Sequence, residues 1–262
     1  MYQTTGLEEL LRALLAEAGR GEEPLPEDFP ARRKLLRALM NQRPPVPAAP
    51  ELLALQDRFL EAEGRQRQSQ VVQWTDLPVS AVDSRLALWR GDITLLACDA
   101  IVNAANSALL GCFHPGHTCI DNVIHSAAGI QLRLACNALM EAQGHPEPPG
   151  QAKITPGFHL PAKYVLHTVG PIVQGAVAPA QREALASCYR SCLTLAEAHG
   201  LESVAFCCVS TGLYGFPPEQ AAPIAVSAVR DALDRCHHIR RVIFDVFRPE
   251  DEALYRALLL HG

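Results

Sequence analysis

No stretch of this chain approaches the roughly 20 consecutive apolar residues that a membrane span needs, so no membrane partner is expected. There is no excess of positive charge either. Lys and Arg number 23 against 28 Asp and Glu, a net charge of -5, with a pI near 6.1. That balance leaves no basic footprint for DNA or RNA, and no nucleic acid is expected as a partner. Backbone N–H groups bind phosphate without net charge, so a phosphate-bearing ligand stays open. Residues 1–20 carry acids through an amphipathic pattern and show no secretory leader. The nine cysteines are an odd number without secreted-domain spacing. A cytoplasmic location is expected, with the thiols buried or on metal. No H-x-E…P-C-x-x-C pattern occurs, which argues against a nucleobase deaminase. No Ser-centred nucleophile elbow occurs, nor any internal repeat or low-complexity tract.

What is present is a chain of 262 residues, 48% hydrophobic and 19% charged. This suits a globular α/β domain with an appendage. The first 70 residues read as helices. Leu7, Leu10, Leu11, Leu14, Leu15 and Ala18 share a face at helical period. Gly19 and Gly21 end that helix, and Pro24 and Pro26 prevent a restart. A second helix is expected over 29–40, with Leu35, Leu36, Leu39 and Met40 inward. After the stiff spacer of Pro44, Pro45, Pro47 and Pro50, a third turns Leu52, Leu55 and Phe59 inward. Residues 63–70 read as a polar loop. Helices this short are not stable alone, so residues 1–70 are expected to pack as an extension on a main domain spanning 71–262.

From residue 71 strands alternate with helices. Strands are expected at 86–89, 99–103, 152–155, 164–169, 203–209 and 241–247. Helices are expected at 120–142, 179–199, 217–235 and 250–260. The pattern implies a mixed, mostly parallel sheet covered by helices on both faces, a three-layer α/β/α fold. Ligands of such sheets sit at the carboxyl ends of strands. Three marked loops, at Gly91, Asn103 and Ser210, each follow a predicted strand and are expected to converge.

Residues 210–217 read S-T-G-L-Y-G-F-P. Gly212 and Gly215 allow close backbone approach to a diphosphate, and the helix opened by Pro217 offers free N–H groups; a tight strand-to-helix turn explains the same residues. Asp92, just past a strand, suits either an adenine amino group or a cap on the turn at Ile93–Thr94. Asn103 and Asn106 end a buried strand, where amides grip ribose hydroxyls or shape the loop. The densest signal is Cys112-x4-His117-x-Cys119. Two thiolates and an imidazole on one tight loop suit Zn²⁺; two buried cysteines and a surface histidine are the alternative. His114, His125 and Cys136 are candidates for a fourth ligand, and an open fourth position marks a catalytic ion. Asp121 follows at a helix start, where the dipole favours its charge.

Taken in order, G-D-I-T, V-N-A-A-N, D-x-x-I-H-x-A-A-G, G-Q-A-K-I-T-P-G-F-H-L-P-A-K-Y-V-L-H-T-V-G-P and S-T-G-L-Y-G-F-P resemble the macrodomain family of ADP-ribose binders and hydrolases. The resemblance runs from about Val71 to the C-terminus. One departure is specific: G-C-F-H-P-G-H-T-C-I stands where most hydrolytic members carry glycines. This is similar to the zinc-containing branch of protein-ADP-ribose hydrolases, which also carries an N-terminal helical extension. The resemblance implies that Cys112, His117 and Cys119 ligate one zinc ion. It implies that Asp92 and the Ile93 backbone recognise adenine, with Phe247 flanking it. Ser210, Thr211, Gly212, Leu213, Tyr214, Gly215 and Phe216 would wrap the diphosphate. Asn106 would sit at the distal ribose with Asn103 nearby, and Asn106 and Asp121 would be the catalytic residues, Asp121 sharing the chemistry with the ion. The implied substrate is a mono-ADP-ribosylated protein, with a sirtuin-like ADP-ribosyltransferase as an associated partner. A non-catalytic ADP-ribose reader with a structural metal is the alternative.

Overall fold

The computed structural model describes residues 2–260. Three helices lead the chain: α1 (Tyr2–Glu17), α2 (Phe29–Gln42) and α3 (Pro50–Arg67). α2 starts where Asp28 caps the Ala31 amide and Pro30 occupies the first turn, both standard start signals. Leu7, Leu10, Leu11, Leu14 and Leu15 pack with Leu36, Leu39, Met40, Leu52, Phe59 and Leu60 into one apolar cluster. Ile130 joins that cluster from beyond the extension.

α3 runs further than the expected polar loop at 63–70. It continues to Arg67 and passes into a 3-10 turn over Gln68–Gln70. Glu63 there accepts from Nε and Nη2 of Arg33 at 2.5 and 2.8 Å.

The main sheet is built from β2 (Leu86–Arg90), β4 (Ala100–Ala105), β5 (Ala152–Pro156), β6 (Tyr164–Val169), β7 (Ser203–Phe206) and β8 (Arg241–Val246). Their order is β2-β8-β7-β4-β6-β5. All neighbours are parallel except β5 with β6. Two short strands the sequence did not signal, β1 (Val72–Gln73) and β3 (Leu96–Ala97), pair beside it. β4 is buried along almost its whole length, so both faces of the sheet are covered. His167 on β6 faces Cys136 of α5 (Ile130–Gln143) at 3.6 Å. The next residue, Thr168, points the other way, to Cys188 of α6 (Pro179–Ala198). α4 (Ile120–Ala128) and α5 therefore lie on one face. α6 lies on the other, with α7 (Pro218–Leu233) and α8 (Pro249–Leu260) beside it. Among the described residues, no helix is long and apolar enough to cross a membrane.

Two expected elements are shorter. The single helix over 120–142 is broken at Gly129, whose φ of 98° is a conformation glycine tolerates. The Ile130 amide freed by the break is taken by Gln56 Oε1 of α3 at 2.6 Å. A residue 74 positions away, on α3, thus replaces the lost helical bond. The strand expected over 203–209 stops at Phe206, because the chain turns there into the loop that precedes α7.

Candidate active site

Parallel strands deliver their carboxyl ends to one edge of the sheet. Past β2 come Gly91 and Asp92, past β4 the loop from Asn106 to Cys119, and past β7 the loop ending at Pro217. Gly170 and the residues after it follow β6, and Phe247 follows β8. These loops touch. The Gly91 amide donates to the Val246 carbonyl at 3.2 Å, and the Val173 amide to the Tyr214 carbonyl at 2.7 Å. A side chain at Gly170 would place its Cβ 1.9 Å from Ser210 Oγ, so only glycine admits the two loops at this distance.

The loop after β4 brings together Cys112, His117 and Cys119. One ligand atom from each lies within 4.8 Å of the others. Cys112 Sγ and His117 Nδ1 are 3.7 Å apart. Tetrahedral zinc with Zn–S near 2.3 Å and Zn–N near 2.0 Å requires about 3.6 Å, so these residues fit the ion. Burial, and then the neighbouring Cys112 sulfur, push the Cys119 thiol up to about 11, with the Asn122 amide opposing. A pair of thiolates here needs a cation to balance it. None of the candidate fourth ligands joins the three. His114 is exposed. His125 and Cys136 form a separate buried group with His167. Among the described residues, no fourth His, Cys, Asp or Glu joins this group.

Asp121 stands two residues on, in the first turn of α4, and is 5% exposed. Asn103 Nδ2 donates to its Oδ1 at 2.8 Å, and His125 Nε2 lies 3.5 Å from the same oxygen. Burial pushes the Asp121 carboxyl up to about 6, against the Asn103 hydrogen bond and the charge of Arg133. Asn103 also meets His167 Nδ1 at 3.2 Å, and His167 Nε2 meets Thr155 Oγ1 at 2.9 Å. Burial holds His167 low, to about 3, and His125 well below its ordinary value. Both imidazoles are therefore neutral. Asn103 is fully buried; it sits behind Asp121 and donates to it, while its Oδ1 has no partner among the described residues. Asn106 shapes the loop, with Oδ1 accepting from the Ala108 amide at 3.0 Å and Nδ2 donating to the Gly111 carbonyl at 3.2 Å.

Across the crevice, the loop from Ser210 to Phe216 curls on itself. Ser210 takes a φ of 65° and Gly215 one of 67°. The Phe216 amide closes the curl on the Ser210 carbonyl at 3.0 Å, and the Gly215 amide on that of Gly212. The amides of Gly212, Leu213 and Tyr214 have no acceptor among the described residues. Successive free N–H groups in a tight turn make an anion cradle. Ser210 Oγ is buried without a partner, and Thr211 Oγ1 holds the Cys208 carbonyl at 3.0 Å. Phe216 is buried, while Leu213 is 80% exposed. Burial and the charge of Asp121 both raise the Tyr214 phenol, which sets this loop within electrostatic reach of Asp121.

Asp92 caps the 3-10 turn Ile93–Leu95 through Thr94 N at 3.0 Å and Thr94 Oγ1 at 2.6 Å. Its other oxygen takes Arg67 Nη2 at 2.9 Å. Ile93 is buried. Phe247 is 79% exposed at the end of β8, an aromatic face free for stacking.

Three residues at this site carried no signal in the sequence. Arg37 and Asn41 of α2 and Arg67 of α3 reach it from the extension. They lie 25 to 85 positions from their partners, and no local pattern marks such a pairing. Asn122 was legible as a position inside D-x-x-I-H but not as a partner of Arg37.

Comparison with known proteins places these features in a family. The Macro domain profile matches residues 102–225. The chain is 48% identical to a protein-ADP-ribose hydrolase of Treponema medium, over 90% of each protein. It is 46% identical to a protein-ADP-ribose hydrolase of Staphylococcus aureus, over 88% of this chain and 86% of that one. Among solved structures, the Trypanosoma brucei macrodomain in complex with ADP-ribose superposes with a TM-score of 0.65 at 32% identity, over 81% of this chain and 91% of that one. An Oceanobacillus iheyensis macrodomain with ADPR gives 0.60 at 38% identity, over 65% and 89%.

Proposed function

The chain belongs to the macrodomain family, and on that premise we propose that it is a zinc-dependent hydrolase that removes mono-ADP-ribose from modified proteins. The observation that carries this reading is the meeting of Cys112, His117 and Cys119 beside Asp121, with no fourth protein ligand among the described residues. A reader of ADP-ribose needs no open metal position. Relatives named protein-ADP-ribose hydrolases over nearly the whole chain support the activity.

The residues divide the work. Asp92 accepts from the adenine amino group on the carboxylate that Thr94 and Arg67 hold still. Phe247 flanks the base. The free amides of Gly212, Leu213 and Tyr214 take the diphosphate, helped by the uncommitted Ser210 hydroxyl. These contacts are remote from the bond to be broken and fix its position. The distal ribose then reaches the loop after β4, where Asn106 keeps a second amide hydrogen for a ribose hydroxyl. Cys112, His117 and Cys119 would hold the zinc ion, which when bound supplies Lewis-acid polarisation of an oxygen at that end. Asp121, steadied by Asn103, orients the water that adds to the anomeric carbon and accepts its proton. The bond from that carbon to the protein side chain breaks, and the side chain leaves with the proton that Asp121 accepted from the water. None of the nine cysteines is in a disulfide, in keeping with work in a reducing cytoplasm. A sirtuin-like transferase is the proposed source of the modification.

The test is to count zinc by mass spectrometry and to assay ADP-ribose release from a modified protein before and after chelation. One zinc per chain and release abolished by chelation support the reading. ADP-ribose binding without any release would make this a reader. Release unchanged by complete zinc removal would overturn the metal's role.

A further inference from the structure

The loop that carries the three ligands has little structure of its own. Its internal backbone bonds are Leu109 N to the Asn106 carbonyl and His117 N to the His114 carbonyl. Around the ligands, its polar groups are held largely from outside, by α4 and α5 and, through them and directly, by α2. Arg37 donates Nε and Nη2 to Asn122 Oδ1 at 3.1 and 2.9 Å, and Nη2 also to the His117 carbonyl at 2.7 Å. Asn122 is fully buried. Its Nδ2 donates to the carbonyls of His114 at 2.9 Å and Cys112 at 3.4 Å. One turn along α2, Asn41 Oδ1 accepts the Gly116 amide at 3.0 Å. The Asn41 Nδ2 donates to Ser126 Oγ at 3.0 Å, and Ser126 bonds back to the Asn122 carbonyl at 2.7 Å. Arg133 of α5 closes the far side. It donates to the Leu110 carbonyl at 2.7 Å and to the Met40 carbonyl at 3.0 Å, and its guanidinium lies 4.3 Å from the Phe113 ring centre.

Two ligand residues, Cys112 and His117, thus have their own carbonyls in a network anchored on α2. A metal site is only as precise as the groups that fix its ligands, and losing such outer partners costs about 10–100-fold in metal affinity. We propose that Arg37 and Asn41 are positioning residues for the metal ligands, which makes the N-terminal helices a working part of the metal centre. The proposal rests on the reading of Cys112, His117 and Cys119 as zinc ligands. Arg37 suits the task because its planar fork serves two acceptors at once, which a lysine ammonium on a flexible stem does not reproduce.

The experiment uses the full chain with Arg37→Met and Arg37→Lys, and Arg33→Met as control. Arg33 makes an equally forked pair with Glu63 inside the extension and does not touch the loop. Zinc affinity is measured by chelator competition, alongside a thermal melt and the Kd for ADP-ribose. Both Arg37 variants are expected to weaken zinc binding about tenfold or more, with ADP-ribose affinity within a factor of about two of the parent. Arg33→Met is expected to leave zinc affinity in place even where its melt shifts. Should Arg37→Met fail to fold, Arg37→Lys decides. A folded Arg37→Lys whose zinc affinity stays within about twofold of the parent overturns the proposal, as does a parent chain that takes up no zinc. Zinc affinity is scored apart from ADP-ribose release. A chain that binds zinc but hydrolyses nothing therefore overturns the hydrolase reading, while the affinity loss in Arg37→Lys still supports this one.

Discussion

Asn103 and Asp121 meet between the middle of β4 and the first turn of α4, the amide donating to the carboxylate at 2.8 Å. Both are buried, so each is the other's main polar partner on that side. Asn is an unfavourable strand residue, and its place here follows from what it holds. Asn103→Ala leaves Asp121 without its donor, a cost of about 1–3 kcal/mol for a buried group. The expected outcome is a lower melting temperature and about tenfold or greater loss of kcat. ADP-ribose affinity, measured by calorimetry, should hold. A large loss of affinity would show that Asn103 touches the ligand directly.

Asp92 has one oxygen on Thr94 and the other on Arg67. Losing a hydrogen bond to a charged group costs about 1.5–3 kcal/mol, so Asp92→Ala should weaken ADP-ribose binding by about 10–100-fold. Arg67→Ala should cost only a few-fold, because the pair is more than a third exposed on both sides and such pairs contribute little. Calorimetric titration of both variants checks the order. Equal losses would mean that Arg67 itself meets the ligand.

Removing the metal should abolish hydrolysis while sparing the fold. No residue from Cys112 to Cys119 belongs to either apolar cluster, so Cys119→Ser should lose zinc and activity yet keep its circular dichroism spectrum. Mass spectrometry of the native protein gives the zinc count. A Cys119→Ser protein that still releases ADP-ribose at the parent rate would sink the assignment.

Asp99 supplies a pH dependence of stability. Burial pushes its carboxyl up. Lys163 Nζ at 2.6 Å, the Glu202 amide at 2.8 Å and Ser203 outweigh that and hold it below its ordinary value. A carboxylate depressed in the folded state stabilises above the unfolded pKa of about 3.9. That contribution is lost as pH falls through the lower folded value. The melting temperature should therefore drop below about pH 4. Asp99→Asn should melt lower at pH 7 and lose less on acidification. Parallel acid limbs in the two proteins would assign the effect elsewhere.

The sequence by itself determined most of the elements and the cluster on the loop after β4. Leucines at helical spacing, alternation of strands and helices, and Gly and Pro at the turns act over a few residues, so local pattern reveals them. Cys112, His117 and Cys119 were legible for the same reason: they lie within one short loop and converge there. What the tertiary structure decided was every relation between distant segments. Gln56 caps the start of α5 at Ile130, Arg67 reaches Asp92, and Arg37 grips the loop 80 positions away. The two asparagines of V-N-A-A-N read alike in sequence. Only the packing of α4 against β4 separated Asn103, buried behind Asp121, from Asn106, which shapes the loop. A side chain's partner across such distances is chosen by how whole elements pack, and no local spacing encodes that choice.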